Sequence, residues 1–124
     1  MGVQSYRDLE IWKRSMDLVA EIYLITKQFP KEELYTLTSQ IRRAAISIPS
    51  NIAEGRSKRS TKDYMRFLNV SYGSLSELET QLMIGQKLGY IASNKLDPML
   101  DETANIGRMI NGLLSSLDRK LQAA

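Results

Sequence analysis

Residues 39–60 read SQIRRAAISIPSNIAEGRSKRS, and this stretch combines a helix, a helix breaker and a cluster of positive charges. Its apolar residues recur at spacings of three and four, which predicts an amphipathic helix over residues 37–54. Pro49 lies inside that pattern, where it removes one backbone donor and crowds the preceding turn, so we expect a kink there. Gly55 follows, and we expect it to end the helix in the left-handed conformation.

The same apolar spacing continues on both sides of this segment and predicts three more helices. The first should cover residues 9–28, the third residues 61–88 with Gly89 as its end, and the fourth residues 93–121 or 97–121. Because short connections make neighbouring long helices antiparallel, the predicted fold is all-α: an antiparallel up-down-up-down four-helix bundle with a kinked second helix. A chain of 124 residues suits a single domain over residues 1–124.

Positive charge is concentrated in residues 42–66. This fifth of the chain contains seven Lys or Arg and two Asp or Glu, whereas the other 99 residues contain ten and twelve, so the net charge of +3 comes from one segment. Its cations are Arg42, Arg43, Arg56, Lys58, Arg59, Lys62 and Arg66. Such a cluster attracts phosphates through counterion release without reading sequence. A basic loop is also commonly no more than a solvated surface.

Helix 1 is more apolar than one buried face requires. At about 100° per residue, its apolar side chains cover an arc of about 220°, whereas one buried face needs about 100°. One cluster is predicted to face the core of the bundle: Trp12, Met16, Val19 and Tyr23. The other is predicted to form an interface between subunits: Ile11, Leu18, Ile22, Ile25 and Phe29. The alternative is that helix 1 lies deep in the bundle and that other helices of the same chain cover both clusters.

The residue inventory argues against catalysis. The chain has no histidine and no cysteine, so it lacks the usual general base near neutral pH, the thiolate nucleophile and the soft metal ligands. It also has no phosphate-binding loop or dinucleotide fingerprint. We therefore expect no enzymatic activity, no metal and no cofactor. No segment resembles a secretory signal or a membrane span, so we expect a cytoplasmic protein without a membrane partner.

Four blocks of the sequence resemble one known family. The blocks are RDLEIW (residues 7–12), FPKEELYTLTSQIRRAAISIPSNIAEG (29–55), GSLSELETQL (73–82) and GRMINGL (107–113). In this order they look like the 23S rRNA intervening sequence protein family. The resemblance implies a bacterial antiparallel four-helix bundle that associates as a homopentamer. A similar fold occurs in the accessory variability protein of diversity-generating retroelements, which works with a reverse transcriptase and RNA.

Two functions remain open. The first is a homo-oligomeric adaptor that binds structured RNA or a ribonucleoprotein through Arg56, Lys58, Arg59, Lys62 and Arg66, with Arg42 and Arg43 as further candidates. Adjacent residues of a helix point about 100° apart, so we expect at least one of Arg42 and Arg43 to be structural. We expect Tyr64 and Phe67 to be mostly buried, which favours recognition of shape and charge over base stacking. The second function is a protein–protein scaffold ring whose cations only hydrate its surface.

Overall fold

Four α-helices and two short 3-10 turns account for most of the chain. In this computed structural model, which describes residues 5–123, the helices are α1 (Glu10–Thr26), α2 (Leu37–Arg56), α3 (Thr61–Lys87) and α4 (Ser93–Ala123). The 3-10 turns are Tyr6–Asp8 and Lys31–Glu33. Helix α4 begins at the earlier of its two predicted starts, and every other helix end lies within about two residues of its prediction. The predicted single domain also includes residues 1–4 and 124, which lie outside the described residues.

The helices pack in chain order around a common core. Helix α2 packs against α1 and α3, and α4 packs against α3 and α1, with the most extensive contact between α2 and α3. Helices α3 and α4 are antiparallel, because Thr103 donates a hydrogen bond to Glu79 and Gly107, one turn later in α4, lies beside Leu75, one turn earlier in α3. Helices α2 and α3 are antiparallel as well, because Ser47 bonds to Ser74 and the next residue, Ile48, bonds to the earlier Ser71. The prediction of an all-α four-helix bundle is therefore confirmed.

One continuous apolar cluster fills the space between the helices. Its largest fully buried side chains are Leu18 and Ile22 of α1, Ile41, Ile48 and Ile52 of α2, Leu68, Leu78 and Leu82 of α3, and Leu96, Ile106 and Ile110 of α4. Every helix therefore buries one stripe of its surface in the same core. Within residues 5–123, none of the helices is both long and apolar enough to cross a lipid bilayer.

The structure reverses the predicted assignment of the two apolar faces of α1. Ile11, Leu18, Ile22 and Phe29, predicted to contact another subunit, are at most 7% exposed inside the core of this chain, and Ile25 is half-buried. The side chains left on the surface are Met16, which is 45% exposed, and Tyr23, which is 36% exposed. Trp12 and Val19 are half-buried at the edge of the core. Four of the five predicted interface residues are therefore unavailable to a neighbouring subunit.

The core face of α1 also contains two buried hydroxyl residues. Ser15 and Thr26 lie in the same buried stripe as the apolar residues. The Ser15 hydroxyl donates to the carbonyl of Ile11 at 2.6 Å, and the Thr26 hydroxyl donates to the carbonyl of Ile22 at 2.7 Å. Because each hydroxyl is satisfied by its own helix, burial costs little, and a polar residue can occupy a core position.

Helix α2 is continuous through Pro49, which is buried. Proline has no N–H, so one carbonyl of the preceding turn has no intrahelical donor. Polar contacts with α3 surround this point: the hydroxyls of Ser47 and Ser74 share a hydrogen bond of 2.8 Å, and the Ser71 hydroxyl donates to the carbonyl of Ile48 at 2.9 Å. The α2–α3 seam is therefore held by hydrogen bonds as well as by apolar contact.

The α1–α2 and α3–α4 connections lie at the same end of the bundle, and one carboxylate links them. Glu33 accepts hydrogen bonds from the hydroxyls of Thr36 at 2.7 Å and Tyr90 at 2.9 Å, and these bonds hold its pKa below the ordinary value. Helix α3 ends before Gly89, as predicted, and Gly89 has a φ of 82°, with the Tyr90 N–H donating to the carbonyl of Gly85 at 2.9 Å. The connection between α1 and α2 is thereby fixed beside the connection between α3 and α4.

Candidate functional site

The five cations predicted to bind nucleic acid lie along one short path. Arg56 is on the last turn of α2, Lys58 and Arg59 are in the connection, and Lys62 and Arg66 are on the first two turns of α3. All are exposed except Arg56, which is half-buried. We call these five residues the basic patch. Because Lys62 and Arg66 are four positions apart, they share one face of α3 and continue the line of charge from the connection.

Gly55 allows the end of α2 and the start of α3 to pack closely. A Cβ built on Gly55 would lie 2.8 Å from the Cβ of Phe67 and 3.1 Å from the ring of Tyr64, closer than such atoms pack. The prediction that Gly55 is a left-handed cap is wrong, because α2 continues through it to Arg56 and Gly89 is the glycine with positive φ among the described residues. Gly55 is needed for close packing, and the packing brings the end of α2 against the start of α3.

The connection itself is held by local hydrogen bonds. The Lys58 N–H donates to the carbonyl of Gly55 at 3.0 Å, and the Ser57 hydroxyl donates to the carbonyl of Ala53 at 2.9 Å. Ser60 caps α3 by accepting from the N–H of Asp63 at 3.2 Å. The backbone that carries Lys58 and Arg59 is therefore ordered from both sides.

Phe67 organises two cations of the basic patch. The Lys58 ammonium lies 5.2 Å and the Arg66 guanidinium carbon 4.5 Å from the centre of its ring. Each such contact contributes about 0.5–1 kcal/mol at an exposed site. Phe67 and Tyr64 are half-buried, whereas the sequence predicted that both would be mostly buried. Burial raises the pKa of the Tyr64 hydroxyl, and the positive charge of Arg56 opposes that rise. Sequence spacing did not predict that Phe67 would contact two cations, because Lys58 lies in the connection and not on the same helix.

Carboxylates neutralise little of the positive charge of the basic patch. Arg66 makes an ion pair with Asp63 at 3.5 Å between two well-exposed side chains. Exposed pairs of this kind contribute about 0–1 kcal/mol and are screened by salt. Arg66 can therefore exchange Asp63 for a phosphate at little cost.

Arg42 and Arg43 do not belong to the basic patch. Arg42 lies about 21 Å from Arg56 along the axis of α2, because the two are fourteen residues apart. Its Nε donates to the Thr26 hydroxyl at 2.9 Å, and its guanidinium lies 4.5 Å over the ring of Tyr23. Arg42 thus bridges α2 to α1, which confirms that at least one of the two arginines is structural. Arg43, one position later, is exposed.

The acidic side chains of the described segment do not assemble a metal site. Within residues 5–123, no group of three or more carboxylates is placed to hold a metal ion. Glu79 instead accepts a hydrogen bond from the buried Thr103, and Glu102 pairs with Arg14 across α1 and α4 at 3.3 Å. These carboxylates connect helices to one another.

Comparison with known proteins identifies the family. No curated protein matches the chain. A crystal structure of a protein of unknown function from the S23 ribosomal protein family of Bacteroides thetaiotaomicron has the same fold, with a TM-score of 0.77 and 20% identity. The match covers 84% of this chain and 97% of that chain. The model of the family described as 23S rRNA-intervening sequence protein matches residues 7–112, so the chain belongs to that family.

Proposed function

We propose that this protein is a non-enzymatic, homo-oligomeric helical adaptor that binds structured RNA or a ribonucleoprotein in the cytoplasm. The observation that carries the proposal is the basic patch, in which five cations lie together at one end of the bundle and, within residues 5–123, a single exposed ion pair involves them. Phosphate groups are the partners that such a patch attracts most strongly. The family description, which names 23S rRNA, supports RNA as the polyanion.

The proposal that the protein is not an enzyme rests on its residues. Without histidine or cysteine, catalysis would have to use carboxylates, lysines or tyrosines. Glu79 and Glu102 are engaged with Thr103 and Arg14, and each carboxylate thereby links two helices. The residues of this chain therefore favour binding of a partner over catalysis.

The proposed homo-oligomer uses a surface different from the one predicted from the sequence. Exposed apolar side chains on α1 include Met16, Tyr23 and Leu24, the last of which is 63% exposed. Exposed apolar residues on one helix favour association, and the family resemblance implies a pentamer. A ring of subunits would repeat the basic patch and raise its apparent affinity through multivalency. Light scattering tests this part: a monomer at micromolar concentration would contradict it.

Binding to a structured RNA tests the function. If the basic patch neutralises five RNA phosphates, the affinity should fall about 100–500-fold between 50 and 200 mM salt. Each neutralised phosphate contributes about 0.7–0.9 to the slope of log affinity against log salt. The charge reversal Arg59→Glu with Lys62→Glu should abolish binding. The matched control is Lys27→Glu with Lys87→Glu, which makes the same charge change at exposed sites outside the basic patch. Equal loss in both variants would show that only net charge matters.

A protein–protein scaffold is the second candidate, and one observation favours it. Tyr35 is 89% exposed and Leu34 is 44% exposed in the connection between α1 and α2, at the end of the bundle opposite the basic patch. Leu88, which is 53% exposed, directly follows α3 at the same end of the bundle. Apolar side chains of this size on a surface favour a protein partner. Absence of RNA binding, or binding that is independent of salt, would favour this function.

A further inference from the structure

An open groove runs beside the basic patch, between α3 and the end of α4. It has a volume of about 590 Å³ and is lined by Lys62, Met65, Arg66, Asn69, Val70 and Leu121. Most of its lining is apolar, with polar groups contributed by three of the six residues. Its volume falls in the range of about 300–1,000 Å³ typical of small-molecule sites. The groove is therefore large enough for one nucleoside and open enough for that nucleoside to stay joined to a chain.

The groove and the basic patch share Lys62 and Arg66. The other α3 residues of the groove follow Lys62 by three, four, seven and eight positions, so helical geometry places them on one face. A phosphate bound by Lys62 or Arg66 is consequently next to the apolar wall formed by Met65, Val70 and Leu121. This arrangement of an anion site beside an apolar wall matches the two chemical parts of a nucleotide.

Arg66 and Asn69 add the features that recognise a base. The Arg66 guanidinium is positioned by the ring of Phe67 and by Asp63, and guanidinium planes are surfaces on which unpaired bases stack. Asn69 donates its amide N–H to the carbonyl of Met65 at 3.1 Å, so its amide oxygen remains as an acceptor for a base edge.

We infer that the groove takes one unpaired nucleotide of a bound RNA, with its phosphate on Lys62 and Arg66 and its base against Met65, Val70 and Leu121. The inference rests on the proposed function and makes it more specific. A base inside a helix is stacked on both faces and cannot enter the groove, whereas a bulged base can leave the stack. The protein therefore prefers RNA that carries an unpaired nucleotide beside a helical stem.

The test compares two fluorescein-labelled hairpins that differ by a single bulged nucleotide. Fluorescence anisotropy at constant salt should give at least about fivefold tighter binding to the bulged hairpin, since the stacking of one base on a planar side chain contributes about this factor or more. Val70→Gln with Leu121→Gln replaces the apolar wall without changing charge and should remove the preference, leaving affinity for the paired hairpin within about twofold. The control Ile84→Gln with Leu88→Gln, at exposed positions in the last turn of α3 and directly after it, should keep the preference.

A second measurement does not depend on any variant. 2-Aminopurine at the bulge should change its fluorescence when the wild-type protein binds, because its stacking environment changes. Equal affinity of the wild-type protein for both hairpins, with no change in 2-aminopurine fluorescence, would overturn the inference and leave the proposed RNA binding intact. Failure to bind either hairpin would overturn both.

Discussion

Replacing Gly55 by alanine tests whether the close approach of α2 and α3 builds the basic patch. The added Cβ would lie 2.8 Å from the Phe67 Cβ and 3.2 Å from the Tyr64 carbonyl oxygen, and neither atom can move unless α3 moves. Overpacking of this kind costs about 1–3 kcal/mol, and we place Gly55 near the upper end. Alanine recovers about 1 kcal/mol of helix propensity. The expected net loss of unfolding free energy is therefore about 1–2 kcal/mol.

Gly73 provides a matched control in the middle of α3. Nothing lies within 4 Å of a Cβ built on Gly73, and the residue is exposed. Gly73→Ala should therefore stabilise the protein by about 0.5–1 kcal/mol, with Gly112→Ala as a second control of the same kind.

The assay is urea unfolding followed by circular dichroism at 222 nm, with thermal melting alongside. Gly55→Ala should lower the melting temperature by about 4–8 °C, whereas Gly73→Ala should raise it by a few degrees. Gly55→Ala should also weaken RNA binding, because shifting α3 separates Lys58 from Phe67. If Gly55→Ala is as stable as Gly73→Ala, the packing argument is refuted.

Three further predictions follow from other parts of the bundle. Leu18→Ala should destabilise the protein by about 2–5 kcal/mol and Met16→Ala by less than about 1 kcal/mol in urea unfolding; the reverse order would restore the original assignment of the α1 faces. Arg42→Ala should cost about 1 kcal/mol through loss of its contacts with Thr26 and Tyr23, and Arg43→Ala about 0–0.5 kcal/mol; equal effects would deny Arg42 a structural role. Because hydrogen bonds lower the pKa of Glu33 below 4.5, its contribution to stability is complete above that pH and is lost as the pH falls through the folded-state value. Glu33→Gln should therefore flatten the acid-induced loss of stability relative to wild type and to the control Glu32→Gln, and an unchanged pH profile would contradict this.

The sequence was sufficient to predict the fold because each helix carries its own signals. Apolar spacing of three and four identified all four helices, and Gly89 indicated the end of α3, a signal that depends only on the chain near it. The short connection between α2 and α3 likewise predicted where the five cations of the basic patch would lie. Features of this kind are local, so one sequence is enough to predict them.

The errors concern features that depend on contacts between helices. The need for glycine at position 55 comes from Phe67 and Tyr64 on another helix, and neither residue signals that contact in the sequence. Both faces of α1 carry an apolar cluster, so helical spacing alone did not decide which cluster the other helices of the chain cover. The groove beside Arg66 needs Leu121, which is fifty-five positions away in the chain. Contacts of this kind, between residues of different helices, can be identified only from the three-dimensional structure.

The salt dependence of RNA affinity tests the central claim most directly. Neutral replacement of two basic-patch residues, Arg59→Gln with Lys62→Gln, should reduce the slope of log affinity against log salt by about 1.4–1.8, because two phosphate contacts are lost. Lys27→Gln with Lys87→Gln, outside the basic patch, should leave that slope unchanged. A slope that is the same in the wild-type protein and both variants, or that falls equally in both variants, would contradict the assignment of RNA binding to the basic patch.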